Sequence, residues 1–207
     1  MELSRAVGMS ETSMPGPRKL AHDWFDGSIP DNVSFDASNY IDSSYSFRRF
    51  RSQRKPALVL GHGSAIYTNT TLDLGHSAQV RVGAFALLNG AKIICDEEIT
   101  IGNYCLISWN VVLMDNFRAP KKLIRRRAYL DAVLRNPDSA ASLQDPPRPV
   151  TIGSNVWIGH DAVVLPGVSI GTGSVIGARA VVDASLPNYC VAIGNPARII
   201  RFLAAAS

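Results

Sequence analysis

An aliphatic residue returns every sixth position over the later part of this chain, at Ile152, Ile158, Val164, Ile170, Ile176 and Val182. Gly153, Gly159, Gly171 and Gly177 follow four of them, and small or β-branched residues (Val156, Ala162, Val168, Ser174, Ala180) stand four places after the aliphatic one. If about a quarter of positions are aliphatic, six successive hits by chance have odds on the order of 1 in 4,000. A period of six cannot match the 3.6-residue turn of a helix, but it is even, so it preserves the alternation of a strand and keeps each aliphatic side chain facing inward. The glycine after each inward residue reads as a corner, where the backbone adopts conformations closed to residues with a Cβ. Repetition of such a unit predicts a parallel β-solenoid, an all-β fold.

The same beat runs through Leu60, Ile66 and Leu72, through Val82, Leu88 and Ile94, and, after one extra residue, through Ile101, Ile107 and Leu113. Phe35, Ile41 and Phe47 are also six apart, so the solenoid is expected to begin near residue 33 with larger side chains plugging its first turn. Two stretches leave the rhythm: a basic loop at residues 48 to 57, and a long excursion at 115 to 149. Within the latter, Lys122 to Arg135 is readable as an amphipathic helix, and Pro146, Pro147 and Pro149 bring the chain back. The expected organisation is an N-terminal lead-in over 1–32 with a short helix at Lys19 to Phe25, a solenoid over 33–201, and a tail over 202–207. A loop as long as the excursion inside a compact solenoid points to function.

At 207 residues the chain can close one sizeable core. The formal net charge of +4 suits an anionic small ligand, whereas 21 basic residues fall short of a dedicated nucleic-acid binder. Three widely spaced cysteines, Cys95, Cys105 and Cys190, draw neither a disulfide framework nor a metal knuckle, which favours a reducing, cytoplasmic setting. No apolar run approaches the length of a membrane span, and no secretory leader pattern is present at the N-terminus.

The segment ITIGNYCLISWNVVLMD, the excursion, and then VTIGSNVWIGHDAVVLPGVSIGTGSVIGARAVVDASLPNYCVAIGNPARIIR resembles the hexapeptide-repeat acyltransferases of the galactoside, maltose and xenobiotic type. The resemblance covers roughly residues 58 to 201. It implies coils of three hexads forming a left-handed triangular prism, against the usual right-handed rule for parallel crossovers. It also implies a homotrimer with acyl-CoA and a small acceptor meeting in the clefts between subunits.

Residue by residue, the likeness implies that Arg198 and Arg201, after GNPA, hold the phosphorylated end of the coenzyme, a task suited to the planar, charge-assisted fork of arginine. Arg179 is a further candidate of this kind. Trp157, His160 and Ala178 fall where the pantetheine arm runs in relatives. Relatives place a catalytic histidine just after the step where the long loop leaves the prism, but this chain has Arg118 there. Arginine stays protonated and cannot take a proton, though it could hold an acidic acceptor. Asp115 becomes the nearest base, with Asn89 as an orienting group, Asn116 beside the acceptor, and His76, two coils earlier and roughly 10 Å away at strand spacing, as a second base. His62 and His76 are fourteen residues apart with no close third histidine, so no metal site is expected. The leading expectation is an acyltransferase, in first place an acetyltransferase, acting on a hydroxyl or amine of a sugar, nucleotide-sugar or natural product. Basic loop residues lean toward an acidic acceptor. The alternative is a trimeric CoA-binding or assembly protein that lacks transfer chemistry.

Overall fold

A computed structural model describes residues 18–67, 69–136 and 140–204. The lead-in before residue 18 and the last three residues of the tail lie outside the described residues.

The chain winds as a left-handed parallel β-helix of triangular section, and its three sheets are the three faces. The first face stacks Val33–Ser34, Leu58–Leu60, Gln79–Val82, Glu98–Ile101, Val150–Ile152 and Ser169–Ile170. The second stacks Tyr40–Ile41, Ala65–Tyr67, Leu87–Asn89, Leu106–Ile107, Trp157–Ile158, Val175–Ile176 and Cys190–Ile193, then closes with the antiparallel strand Arg198–Phe202. The third holds Thr71–Leu74, Lys92–Cys95, Val112–Met114, Val163–Val164 and Val181–Val182. In the first coil a 3-10 helix, Ser44–Phe47, stands in place of a third strand, and Phe47 is buried in the core.

The beat residues form the interior as the period requires. Ile101, Ile152 and Ile170 align on the first face, Ile107, Ile158 and Ile176 on the second, and Leu113, Val164 and Val182 on the third, all buried. One beat is displaced: Ile93, not Ile94, pairs with Leu72 and Leu113 and is buried. Gly90, at φ +67°, turns the corner after Leu88 with one residue fewer than a full hexad, and because strands alternate, a slip of one exchanges inside for outside.

The glycines that follow the beat residues have a different reason from the one expected. Gly153 and Gly171 carry no left-handed φ. A Cβ on Gly153 would lie 2.6 Å from the Thr172 backbone nitrogen, and one on Gly171 would lie 2.3 Å from that of Asn188. These positions are glycine because successive coils touch backbone to backbone. The left-handed turn falls two residues later, at Phe85, Tyr104, Asn155 and Tyr189 on the first corner and at Asn69, Asn110, Asp161 and Arg179 on the second. Asparagine and aspartate tolerate that region; Phe85 and Tyr104 occupy it with their rings stacked at 5.2 Å.

The long excursion does not interrupt the stack. The Asp115 carbonyl accepts the Arg148 N–H at 2.7 Å, so the insertion is pinched at its neck, and Val150–Ile152 resumes directly above Glu98–Ile101. Within it Leu123–Arg135 is helical. No residue of this helix is buried, and Leu123, Ile124, Leu130 and Leu134 are exposed. Lys19 to Phe25, expected as a short helix, forms turns instead. The Asp23 carboxylate accepts the Ser43 hydroxyl and the N–H groups of Phe25 and Ser44, while Trp24 and Phe25 pack on Tyr45. These bonds tie the segment to the first coil at the expense of helical i to i+4 bonding. Burial opposes the Asp23 charge, but those hydrogen bonds outweigh it and hold its pKa at about 2.

Candidate functional site

Two concave regions gather the residues singled out from the sequence. The first is a groove of 310 Å³ where the second face turns into the third. Ser108, Trp109, Trp157, Gly159, His160, Val175, Ile176, Gly177 and Ala178 line it. Trp157 stands outward because it precedes the inward Ile158, and its ring N–H donates to the Ser108 hydroxyl at 3.3 Å. Trp109 and His160 are corner residues of successive coils, as the bond from Asp161 N–H to the Trp109 carbonyl places them. Gly177 and Ala178 leave the groove floor as bare backbone; Gly159 can carry no Cβ, since one would lie 2.7 Å from the Ala178 nitrogen. Trp157, His160 and Ala178 are therefore brought together. Arg179 sits on the same corner, its Nε 3.6 Å from Asp161. Asn89 ends the strand paired to Leu106–Ile107 on its lower side, below Ser108 on the same edge of the prism, beside Tyr67.

Arg198 and Arg201 join this groove through strand register. Val175 pairs with Val191, which pairs with Arg201. One column over, Ile193, whose side chain a Cβ on Gly177 would strike at 2.6 Å, pairs with Arg198. At about 4.8 Å per strand, Arg201 stands roughly 10 Å above Val175 and roughly 14 Å above Trp157. An apolar channel thus runs up the second face and ends at two exposed guanidinium groups. Arg198 is 3.5 Å from Asp183.

The second region is a cleft of 880 Å³ at the third corner, under the excursion. Its walls include Arg49, Arg51, Asp73, His76, Asp96 and Glu97 from the prism, and Asn116, Arg118, Tyr129, Gln144 and Asp145 from the excursion. The arginines facing it are already neutralised. Asp73 meets Arg118 at 2.7 Å, Arg51 at 3.0 Å and Arg49 at 3.2 Å, and Asp145 meets Arg125 at 3.6 Å. Arg118 also grips Asp96, with Nε at 3.1 and 3.2 Å from its two oxygens and Nη2 at 2.9 Å, and reaches the carbonyls of Asp73 and Cys95. Burial works against its charge, but the carboxylates of Asp96 and Asp73 outweigh it and raise its pKa above that of an ordinary arginine. Of the basic loop residues that lean toward an acidic acceptor, Arg49, Arg51 and Arg125 are already paired with internal acids. Asn116 is nearly buried, donating to Asp96 and accepting the Arg118 N–H.

Asp115 lies behind this cleft, fully buried. It follows the inward Leu113 by two residues and therefore points into the prism, level with Cys95 and above Leu74. There its carboxylate accepts the N–H groups of Asp96 at 2.9 Å, Glu97 at 2.7 Å and Glu98 at 3.0 Å, and the Cys95 thiol at 3.3 Å. Burial is the largest influence on it and leaves its pKa raised despite those donors. Asp115, the nearest base by sequence position, spends its carboxylate on the turn at residues 96 to 98, which it anchors. Period-two counting from Leu113 carries the signal for that, and aligning SWN with GHD by repeat would have found Trp109 and Ser108 beside His160. Asp73, Asp96 and Glu97 had no sequence signal, because they meet Arg118 and the cleft only through stacking of coils.

Among the described residues no group of three or more His, Cys, Asp or Glu side chains could hold a metal ion, and no helix is long and apolar enough to cross a membrane.

A six-residue β-helix with an apolar edge groove below a pair of arginines defines a class, that of the hexapeptide-repeat proteins. Residues 149–184 match the bacterial transferase hexapeptide (six repeats) family model. Galactoside O-acetyltransferase of Escherichia coli (strain K12) is 37% identical over 140 residues, which cover 67% of this chain and 62% of that protein. The chain thus spans about three fifths of the length of that curated relative. Among solved structures, the polySia specific acetyltransferase NeuO matches with a TM-score of 0.54 at 25% identity, over 72% of this chain and 59% of its own. AntD, an N-acyltransferase from Bacillus cereus solved with dTDP and 3-hydroxybutyryl-CoA, matches in fold with a TM-score of 0.56 at 19% identity, over 83% of this chain and 80% of its own. The chain carries the hexapeptide repeat of the bacterial transferases and resembles the hexapeptide-repeat acyltransferases.

Proposed function

We propose that this protein is an acyl-CoA-dependent acyltransferase that carries an acetyl or other small acyl group to a hydroxyl or amine, and that it works as a side-by-side homotrimer. The observation that carries the coenzyme half is the alignment of Arg198 and Arg201 above the groove. A thioester arm needs an apolar channel with bare backbone, and its phosphorylated end needs fork-shaped cations at a fixed distance. Trp157, His160 and Ala178 would line the arm, and Arg179 would be a third cation beside it. Naming the acceptor more closely, as sugar, nucleotide-sugar or natural product, rests on the family likeness. The three cysteines are free and buried, which suits a reducing compartment such as the cytoplasm.

Calorimetry with CoA and with dephospho-CoA tests this reading. Arg198→Ala and Arg201→Ala are each expected to weaken CoA binding by about 1 to 3 kcal/mol, with a smaller loss for dephospho-CoA in whichever variant lacks the partner of the 3′-phosphate. Equal losses on both ligands in both variants would remove the phosphate assignment, and no binding of CoA by the wild type would remove the coenzyme itself.

The homotrimer is supported by the outward column of the second face, Tyr40, Ala65, Leu87, Leu106, Trp157, Val175 and Val191, which is apolar throughout. The matching column of the first face is mostly polar: Ser34, Val59, Arg81, Thr100, Thr151 and Ser169. A continuous apolar stripe of that length is a surface that association covers. Sedimentation at micromolar concentration should give three times the chain mass, and a stable monomer there would overturn the assembly. A second reading, a trimer that binds CoA without transferring the acyl group, is favoured by one observation, the commitment of Arg118 to Asp73 and Asp96 where relatives carry their base. Thioester turnover separates the two.

A further inference from the structure

Resting on the acyltransferase reading, we propose that His76, on the same cleft wall as Glu97, is the general base of the acceptor site in this chain. The argument begins with what the third-corner cleft makes unavailable. Asp115 is enclosed by three backbone N–H groups and a thiol, and Asp73 answers three arginines. Asp96 is held by Arg118 and Asn116, while Asp145 meets Arg125 and the Lys121 N–H. Arg49, Arg51 and Arg118 cannot accept a proton. What remains on the wall is His76, Glu97 and the Tyr129 phenol.

The backbone places the first two on one corner of the prism. Gly75 N–H donates to the Cys95 carbonyl at 2.7 Å and Gln79 N–H to the Glu97 carbonyl at 2.9 Å, so the four-residue corner 75 to 78 stacks on the two-residue corner 96 and 97, with His76 on one coil and Glu97 on the next. Both are exposed to the cleft. A side chain on Gly75 would collide with Asp96 Oδ1 at 2.3 Å; its absence lets Asp96 lie flat against Arg118 and leaves His76 and Glu97 as the groups that project. The His76 carbonyl accepts the Gln53 N–H at 3.0 Å, which fixes the residue while its ring stays free.

Imidazole is a base suited to neutral pH. The ring faces the acceptor across the cleft, and the Glu97 charge on the next coil favours the imidazolium that forms. As the acceptor oxygen or nitrogen bonds to the acyl carbon, the ring takes its proton. When the C–S bond breaks, the imidazolium returns that proton to the departing CoA thiolate, so the acyl group moves with no change in oxidation state. His76 is the catalytic residue in this scheme and Glu97 a positioning residue. The thioester arrives from the second-corner groove of an adjoining copy.

Bromoacetyl-CoA tests this without knowledge of the acceptor, because it carries an electrophilic carbon to the place of the acyl group. Mass spectrometry of the labelled protein should find the carboxymethyl-type adduct on His76, suppressed by excess CoA and absent from His76→Gln. Binding of CoA with labelling elsewhere, or with none, overturns the role of His76 while leaving the acyltransferase reading intact. Failure of the wild type to bind CoA at all overturns that reading first. With acetyl-CoA and glucosamine as probe acceptor, His76→Gln should lower kcat about a hundredfold, and Glu97→Gln about tenfold with Glu97→Asp recovering part of it, at unchanged KM for acetyl-CoA. Full kcat in His76→Gln would sink the proposal.

Discussion

Ile170→Asp should cost about 4 kcal/mol or more of folding free energy and leave little folded protein at ambient temperature. Ile170 is almost fully buried, stacked on Ile152 below and bridged to Leu186 above, so a carboxylate there has no cation and no water. Its neighbour Ser169 points outward and is exposed. Ser169→Asp is therefore the control, expected within about 0.5 kcal/mol of the wild type. Urea denaturation followed by circular dichroism measures both, and equal midpoints for the two variants would mean that the inward register assigned to the first face is wrong.

Arg118→Ala should destabilise by about 2 to 4 kcal/mol, because removing one member of a largely buried ion-pair cluster strands its partners. The partners are not equally harmed. Asp73 keeps Arg49 and Arg51, whereas Asp96 loses the cation that grips it and retains only the Asn116 amide. Thermal melts of wild type, Arg118→Ala and the double variant Arg118→Ala/Asp96→Asn read this: removing the stranded charge should recover part of the loss, and no recovery would mean that Asp96 is not the stranded group. Arg118→His, which reproduces the family residue, is expected to show most of the same loss and no gain in turnover. An imidazole there faces Asp96 and Asp73, not a free acceptor.

Both results bear on how the chain departs from its relatives. At the position that the family resemblance gives to a base, Arg118 is a fastener, joining the mouth of the excursion to two coils of the prism. On the reading proposed above, His76 would supply the base at the same corner from an earlier coil.

The period of six by itself determined the solenoid, the inward rows and the place of the excursion, because each follows from local alternation and spacing; Trp157, His160 and Ala178 were picked out by the family resemblance. Tertiary structure alone decided the rest. The pairing of Arg118 with Asp73, 45 residues apart, depends on how many residues each coil spends at its corners, and Gly90 changes that count without altering the composition of the repeat. The same stacking turned Asp115 inward to bind the backbone of a neighbouring coil, paired Arg49 and Arg51 of the basic loop with Asp73, and made Gly153 and Gly171 points of backbone contact where a turn was expected. Charge pairing and close approach are properties of distance in space, and a chain read in one dimension carries distance only where its period is unbroken.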